Sequence, residues 1–279
     1  MMQGAGAAPM TAITSNNRKY FIAGAVALSL AAGGYALARY YPALGPIAGA
    51  VTPQLYVDSL PTAEIPSRGR YVLVDAASAR LYMMEDGRVR DSMRVIVGKP
   101  ETPTPALKSV INYATVKPYW HVTSDLAQTI IAPRVLKEGK AYLVERGYEV
   151  VTGWGPDGKV VPPEAVDWKA VAAGEKQILV RQQPGPANSL GNFKFELPDG
   201  DGIYLHDTPK KELFAQDDRN LSHGCVRLED AQRLARWLLG GDPALANAVP
   251  EQHLLLPKPV PITISYLDSR AQMQLASLY

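Results

Sequence analysis

The chain has 279 residues, 47% apolar and 20% charged, so it can bury a sizeable core and is no disordered tail. Its 23 Gly and 23 Pro exceed the usual combined share of roughly 12%, which favours a loop-rich, strand-based fold and excludes a coiled coil or collagen-like chain. A formal charge of +2, from 29 Lys plus Arg against 27 Asp plus Glu, gives no electrostatic case for a nucleic-acid partner.

No acidic residue precedes Asp58, and Arg18 and Lys19 stand directly before an uncharged stretch rich in Ala, Leu, Val and Gly. As a helix, residues 21–38 would rise about 27 Å, close to the roughly 30 Å of bilayer hydrocarbon and longer than a cleavable signal core of about 7 to 15 residues. They read as an uncleaved transmembrane signal anchor. Residues 1–20 are then a cytoplasmic tail, and the remainder lies on the periplasmic, cell-wall side of the cytoplasmic membrane. Small residues at Ala36 and Ala38, and at Ala48 and Ala50, keep a cleaved signal peptide as the alternative. Residues 39–66, with five prolines, read as a linker.

From residue 70 onward, short apolar runs alternate with turn signals. Strands are expected at 71–74, 81–84 and 89–97, with Asp86-Gly87 as the clearest hairpin turn, and then at 109–116. Between Trp120 and Lys176 the pattern changes. A helix is expected after Ser124 and a stop at Pro133, followed by a Gly- and Pro-rich section from Trp154 to Trp168, so residues 120–176 read as an insertion in the strand domain. Strands follow at 177–181, 192–197 and 203–206. Ala231, Leu234, Ala235 and Leu238 fall on one helical face that stops at Gly240, packing directly behind the lone cysteine, and residues 260–267 alternate as a closing strand.

That cysteine is the chemically informative position. Cys225 cannot form an internal disulfide, and it lies in Ser222-His223-Gly224-Cys225-Val226-Arg227, downstream of His206 at a strand end. An ordinary thiol is only a few per cent thiolate at pH 7, so nucleophilic chemistry needs a neighbouring base, which His206 can supply. Gly224 permits a tight turn that points backbone amides at a developing oxyanion, and the next helix's positive end favours thiolate. A bland buried-thiol reading stands beside this one. A zinc site is the sharper competitor, but it lacks a paired Cys motif and a fourth ligand, His121 and His253 being distant in sequence.

At these residues the chain resembles the YkuD-type L,D-transpeptidases of bacterial cell walls, whose signature is a His, about fifteen residues, and then Ser/Thr-His-Gly-Cys. Arg181, Pro184-Gly185-Pro186, Asn188, Leu190-Gly191, Tyr204-Leu205-His206-Asp207-Thr208-Pro209, Thr102-Pro103-Thr104-Pro105 and Pro118-Tyr119-Trp120 resemble the YcbB-like subgroup. The resemblance covers roughly residues 70–267. It implies a mostly β (α+β) catalytic domain at 67–270, a mixed, β-sandwich-like fold with a partly helical lid insertion at 120–176. Cys225 then matches the acylated nucleophile, His206 the base, the Asp207 carbonyl its orienting partner, and His223 a second His near the thiol. The Gly224 and Cys225 amides match the oxyanion hole. Arg227 either anchors a substrate carboxylate or braces the loop; Ser222, Arg181 and Asn188 are further candidates for lining the substrate site. In place of the wall-binding module of larger YcbB-like members, the anchor would tether the domain.

The implied reaction transfers the acyl group of a peptidoglycan tetrapeptide stem, with loss of D-Ala, to an amine. A diaminopimelate acceptor gives a 3→3 cross-link, a lipoprotein Lys gives protein attachment, and water gives carboxypeptidase activity. No metal or organic cofactor is needed for these steps. A murein hydrolase using the same site, and a non-catalytic anchored wall-binding protein, are the competing readings. The insertion is expected to cover the cysteine groove, with Trp154 and Trp168 as candidates for the cover or for a small core of its own.

Overall fold

The computed structural model describes residues 66–279 apart from 156, 199–201 and 244–247. The expected tail, membrane segment and all of the linker except Pro66 lie outside the described residues. Among the described residues no helix is long and apolar enough to cross a membrane.

Strands β1 (Arg70–Asp75), β2 (Arg80–Glu85) and β3 (Arg88–Gly98) form the expected antiparallel meander. Asp86 and Gly87 both have positive φ, +52° and +73°, as a two-residue turn matched to strand twist requires. β3 is long enough to serve two neighbours. After β4 (Leu107–Val116) comes the insertion. It contains β5 (Trp120–Val122), a helical run through Ser124–Leu126, a π turn at Ala127–Ile131 and α1 (Ala132–Glu138), then α2 (Ala141–Arg146), β6 (Tyr148–Val151), β7 (Val160–Val161), α3 (Trp168–Ala172) and β8 (Leu179–Gln182). The remaining elements are β9 (Phe193–Glu196), β10 (Tyr204–His206), β11 (Asn220–Ser222), β12 (Val226–Leu228), α4 (Ala231–Leu239), β13 (Gln252–Ser265) and α5 (Ser269–Ala276).

The first part of β3 pairs with β2, and Val95 and Ile96 pair with β12. That closes eight strands in the order β3-β12-β10-β9-β4-β13-β1-β2, with β11 added alongside the end of β3. The mostly β expectation is met, but in place of a sandwich the strands form a ring closed on itself. Inside it, Val72, Met83, Val95, Ile111, Phe195 and Ile264 pack with the apolar face of α4. The opposite face of β1 and β2, with Tyr71, Leu73, Tyr82 and Met84, is covered by Leu275 of α5. Burial on both faces explains why these strands read as apolar runs rather than alternations.

Three expectations are corrected. Pro133 does not stop the helix, which runs on to Glu138 and ends at Gly139. The π turn resets the register so that Pro133 falls in the first turn of α1, where its missing N–H costs nothing. The strand near 177–181 belongs to the insertion, since β8 pairs with β5 and β6 in a separate four-stranded sheet over its own apolar cluster. The insertion therefore runs from Trp120 to Gln182. The closing strand begins at Gln252, eight residues early; Pro257 and Pro259 hide it, and they fall where the register shifts between Leu255 and Val260.

Candidate active site

Two three-residue strands set the site. β10 runs parallel to β12 with Leu205 opposite Val226 and His206 opposite Arg227, and antiparallel to β9 with Tyr204 opposite Glu196 and His206 opposite Lys194. Leu205, Val226 and Phe195 are fully buried in the ring core. Alternation then sends Tyr204, His206, Arg227, Glu196 and Lys194 to the other face, with Cys225 one residue before the strand on that same face. The register continues through Thr115 to His253, so Arg227, His206, Lys194, Thr115 and His253 form one line across five strands.

His206 is 5% exposed, and its Nδ1 lies 2.5 Å from the carbonyl oxygen of Asp207. A carbonyl only accepts, so Nδ1 carries the proton and Nε2 holds the free lone pair. Burial, then the charge of Arg227, lowers the imidazole to about 3, outweighing the Asp207 carbonyl; Lys194 adds to the lowering. The imidazole is neutral at pH 7.

Cys225 Sγ donates to the Gly202 carbonyl at 3.7 Å, and the Tyr204 backbone N–H and phenol favour negative charge on the sulfur. Burial pushes the thiol up, against these two groups and the charges of Arg227 and Lys194. This corrects the expectation of a helix-stabilised thiolate. β12 separates the cysteine from α4, whose N-terminus is capped by Asp230 accepting from the Arg233 amide. At rest Cys225 is a thiol and His206, on the same face, is neutral.

The loop before Cys225 is braced from within and from β3. Ser222 Oγ donates to the Cys225 carbonyl at 2.6 Å and accepts the Gly224 amide at 3.1 Å. Thr104 Oγ1 donates to the Gly224 carbonyl at 2.7 Å and accepts the Gly98 amide at 2.8 Å. Gly224 has φ +116°, which disfavours any side chain there. At Gly98 a Cβ would lie 2.2 Å from the Thr102 carbonyl. The run from Thr102 to Pro105 thus acts as a strut for the cysteine loop. The Gly224 amide is spent on Ser222, which corrects the expected two-amide oxyanion hole and leaves the Cys225 amide.

A family profile described as the YkuD L,D-transpeptidase catalytic domain matches residues 69–250, which contain every residue of this face from Lys194 to Arg227. The chain belongs to the YkuD L,D-transpeptidase catalytic domain family. A Haemophilus influenzae protein bearing an L,D-transpeptidase name is 34% identical over 189 residues, 68% of this chain and 37% of its own length. The chain thus spans little more than a third of that relative. Among solved structures, an L,D-transpeptidase from Mycobacterium smegmatis has TM-score 0.34 at 16% identity, covering 70% of this chain and 58% of that one. L,D-transpeptidase 3 from Mycobacterium tuberculosis, in complex with a faropenem-derived adduct, has TM-score 0.34 at 17% identity, covering 71% and 60%.

Within this YkuD domain the predicted residues divide. His206 lies opposite Arg227, with Cys225 two residues before Arg227 on the same face. The Asp207 carboxylate is held by Lys211 Nζ at 2.6 Å and the Asn192 amide at 2.9 Å, fixing the carbonyl that orients His206. His223 is exposed, with its imidazole lowered by burial, Lys99 and Arg227, while Asp125 of the insertion opposes them. Three substrate-binding candidates have partners within the fold. Ser222 is 1% exposed and taken up by the loop. Asn188, also 1% exposed, donates to the carbonyls of Pro118, Gln182 and Gln183 and accepts the Leu190 amide, so the turn uses its whole amide. Arg181 pairs with Glu149 at 2.8 Å and lies 4.9 Å over the Tyr119 ring.

Tyr204 and Lys194 join the site without having been singled out. The i, i+2 spacing of Tyr204 with His206 was a readable signal; Lys194 needed the pairing of β9. His253 and His121, set aside as distant, come to this side of the sheet. His253 packs edge-on to Tyr113 at 4.6 Å, and His121 feels Glu251, Lys194 and Glu196. Among the described residues no group of three His, Cys, Asp or Glu is placed to hold a metal. Trp168 belongs to the insertion core, its indole donating to the Pro163 carbonyl, whereas Trp154 is 41% exposed and its ring centre lies 4.6 Å from that of His121, tilted by 43°.

Proposed function

We propose that this domain is a peptidoglycan L,D-transpeptidase with Cys225 as its nucleophile. The observation that carries the reading is the common face of Cys225, Tyr204, His206 and Arg227, where His206 is neutral and its Nδ1 proton is held by the Asp207 carbonyl, so that Nε2 keeps a free lone pair. His206 Nε2 takes the thiol proton as Sγ attacks the carbonyl carbon between the L-centre and the D-Ala of a tetrapeptide stem. The Cys225 amide faces the oxyanion. The C–N bond breaks, His206 returns the proton to the departing D-Ala amine, and a thioester remains. The acceptor amine then gives its proton to His206 and attacks the thioester. The C–S bond breaks and the sulfur recovers the proton.

Arg227 is suited to a stem carboxylate, since burial lowers its guanidinium while Cys225 and Tyr204 favour its charge. The acceptor we favour is a diaminopimelate side chain, giving 3→3 cross-links. The Tyr204–Pro209 and Thr102–Pro105 sequences support the YcbB-like subgroup within the family. Residues 21–38 are proposed as an anchor holding the domain at the outer face of the cytoplasmic membrane, which membrane fractionation of the full chain tests.

Mass spectrometry of muropeptides, after incubating the protein with tetrapeptide-bearing sacculi, tests the reaction. Release of D-Ala with new 3→3 dimers is expected. Tripeptides without dimers would instead make the domain a carboxypeptidase.

A further inference from the structure

One charged group on the face of Cys225 has no part in the reaction as written. Lys194 lies directly opposite His206 on β9, and its side chain is only 11% exposed. A buried ammonium is costly unless it is answered by partners, and here it is held from two sides. Its Nζ pairs with Glu196, two residues along the same face, and lies 5.0 Å from the centre of the Tyr204 ring. Glu196 is fixed in turn by the Tyr113 hydroxyl of β4.

The ring under this ammonium belongs to Tyr204, on the face that carries Cys225, and its phenol favours negative charge on the sulfur. A cation over a phenol draws electron density from the ring, which makes the hydroxyl a better donor and a poorer acceptor. The same ammonium also faces the place where negative charge forms on sulfur, in surroundings that screen less than water. The titratable and charged groups on that face are Tyr204 and His206 from β10, Arg227 from β12 and Lys194 with its Glu196 from β9, with His223 on the loop before Cys225.

We propose that Lys194 is a positioning residue for Cys225: through the Tyr204 ring it strengthens the phenol as a donor to the sulfur, and with Arg227 it supplies positive charge to the forming thiolate. The inference rests on Cys225 being the nucleophile, but not on which peptide is acylated.

The test is the pH dependence of iodoacetamide alkylation in the full chain, read by intact mass; the chain has one cysteine, so the label is unambiguous. Lys194→Met is expected to move the alkylation midpoint up by about one pH unit and to slow the reaction at pH 7 roughly tenfold. Lys194→Arg keeps the charge and should leave the midpoint in place. Glu196→Gln frees the ammonium's charge and should move the midpoint down. In a Tyr204→Phe background the effect of Lys194→Met should fall by at least half. A Lys194→Met curve that superimposes on the parent overturns the proposal, as do Lys194→Met and Glu196→Gln shifts of the same sign, which would indicate packing alone. If Lys194→Met does not fold, Glu196→Gln decides: a downward shift supports the proposal, and an absent or upward shift overturns it. A protein with the expected shifts that releases no D-Ala would sink the proposed function and leave the role of Lys194 standing.

Discussion

Thr104 and Gly224 are tied by a buried hydrogen bond of 2.7 Å that spans 120 residues of sequence, Thr104 Oγ1 donating to the Gly224 carbonyl. The same hydroxyl accepts the Gly98 amide, so one side chain fixes both the end of β3 and the loop that presents Cys225. Thr104→Val keeps the shape but orphans both groups. It should cost about 1–3 kcal/mol of stability and slow acylation of Cys225, whereas Thr104→Ser should recover most of both. Thermal unfolding and intact-mass acylation rates check this, and a valine variant as fast as the parent would remove the strut argument.

Carbapenem exposure is expected to add one acyl adduct at Cys225, as the family membership suggests. Cys225→Ala should lose the adduct and all turnover. His206→Ala should fall nearly as far, because groups acting as one unit are strongly non-additive. An unaltered mass in folded parent protein would count against Cys225 as nucleophile.

The depressed imidazole of His206 makes a signed pH prediction. In the unfolded chain it protonates near 6.5, in the folded one only near 3. Below pH 6.5 the unfolded state takes up a proton that the folded state refuses, so stability falls as pH falls. The contribution is about 1.4 kcal/mol per pH unit between roughly pH 6 and 3, levelling off once the native imidazole protonates. Chemical denaturation at pH 7, 5 and 4 should show His206→Gln losing less stability on acidification than the parent. Equal slopes would mean that the folded imidazole is not held neutral.

The insertion acts on the site electrostatically through Trp120 on Tyr204 and Asp125 on His223. A thioester in open solvent meets water at tens of molar, so a cover over the groove should favour amine acceptors. Because β5 and β8 pair with each other, the removable unit is residues 119–183 rather than a cut before β8. Replacing it by a Gly/Ser linker, in protein that still folds, should raise the ratio of hydrolysis to cross-linking in muropeptide analysis. An unchanged ratio would leave the insertion without a covering role.

The sequence by itself determined the early strands and the last core helix, and it pointed to the pair proposed to react. Apolar runs and the Asp86-Gly87 turn located the β1 to β3 meander, and the spacing of Ala231, Leu234, Ala235 and Leu238 located α4, because these signals are local and periodic. His206 and Cys225 were legible because a lone thiol needs a base, and the histidine stands at a strand end. Only the tertiary structure decided what surrounds them. Strand pairing brings together residues whose separation in sequence carries no information, so Lys194 and Tyr204 come onto the face of Cys225 through register alone. Hydrogen bonding decided in the other direction, spending Ser222, Asn188, Arg181 and the Gly224 amide on the scaffold, since a polar group already saturated within the fold has nothing left for a substrate. The ionisation of the pair was likewise set by burial, which keeps the thiol protonated and the imidazole neutral, where the sequence pointed to a thiolate at a helix end.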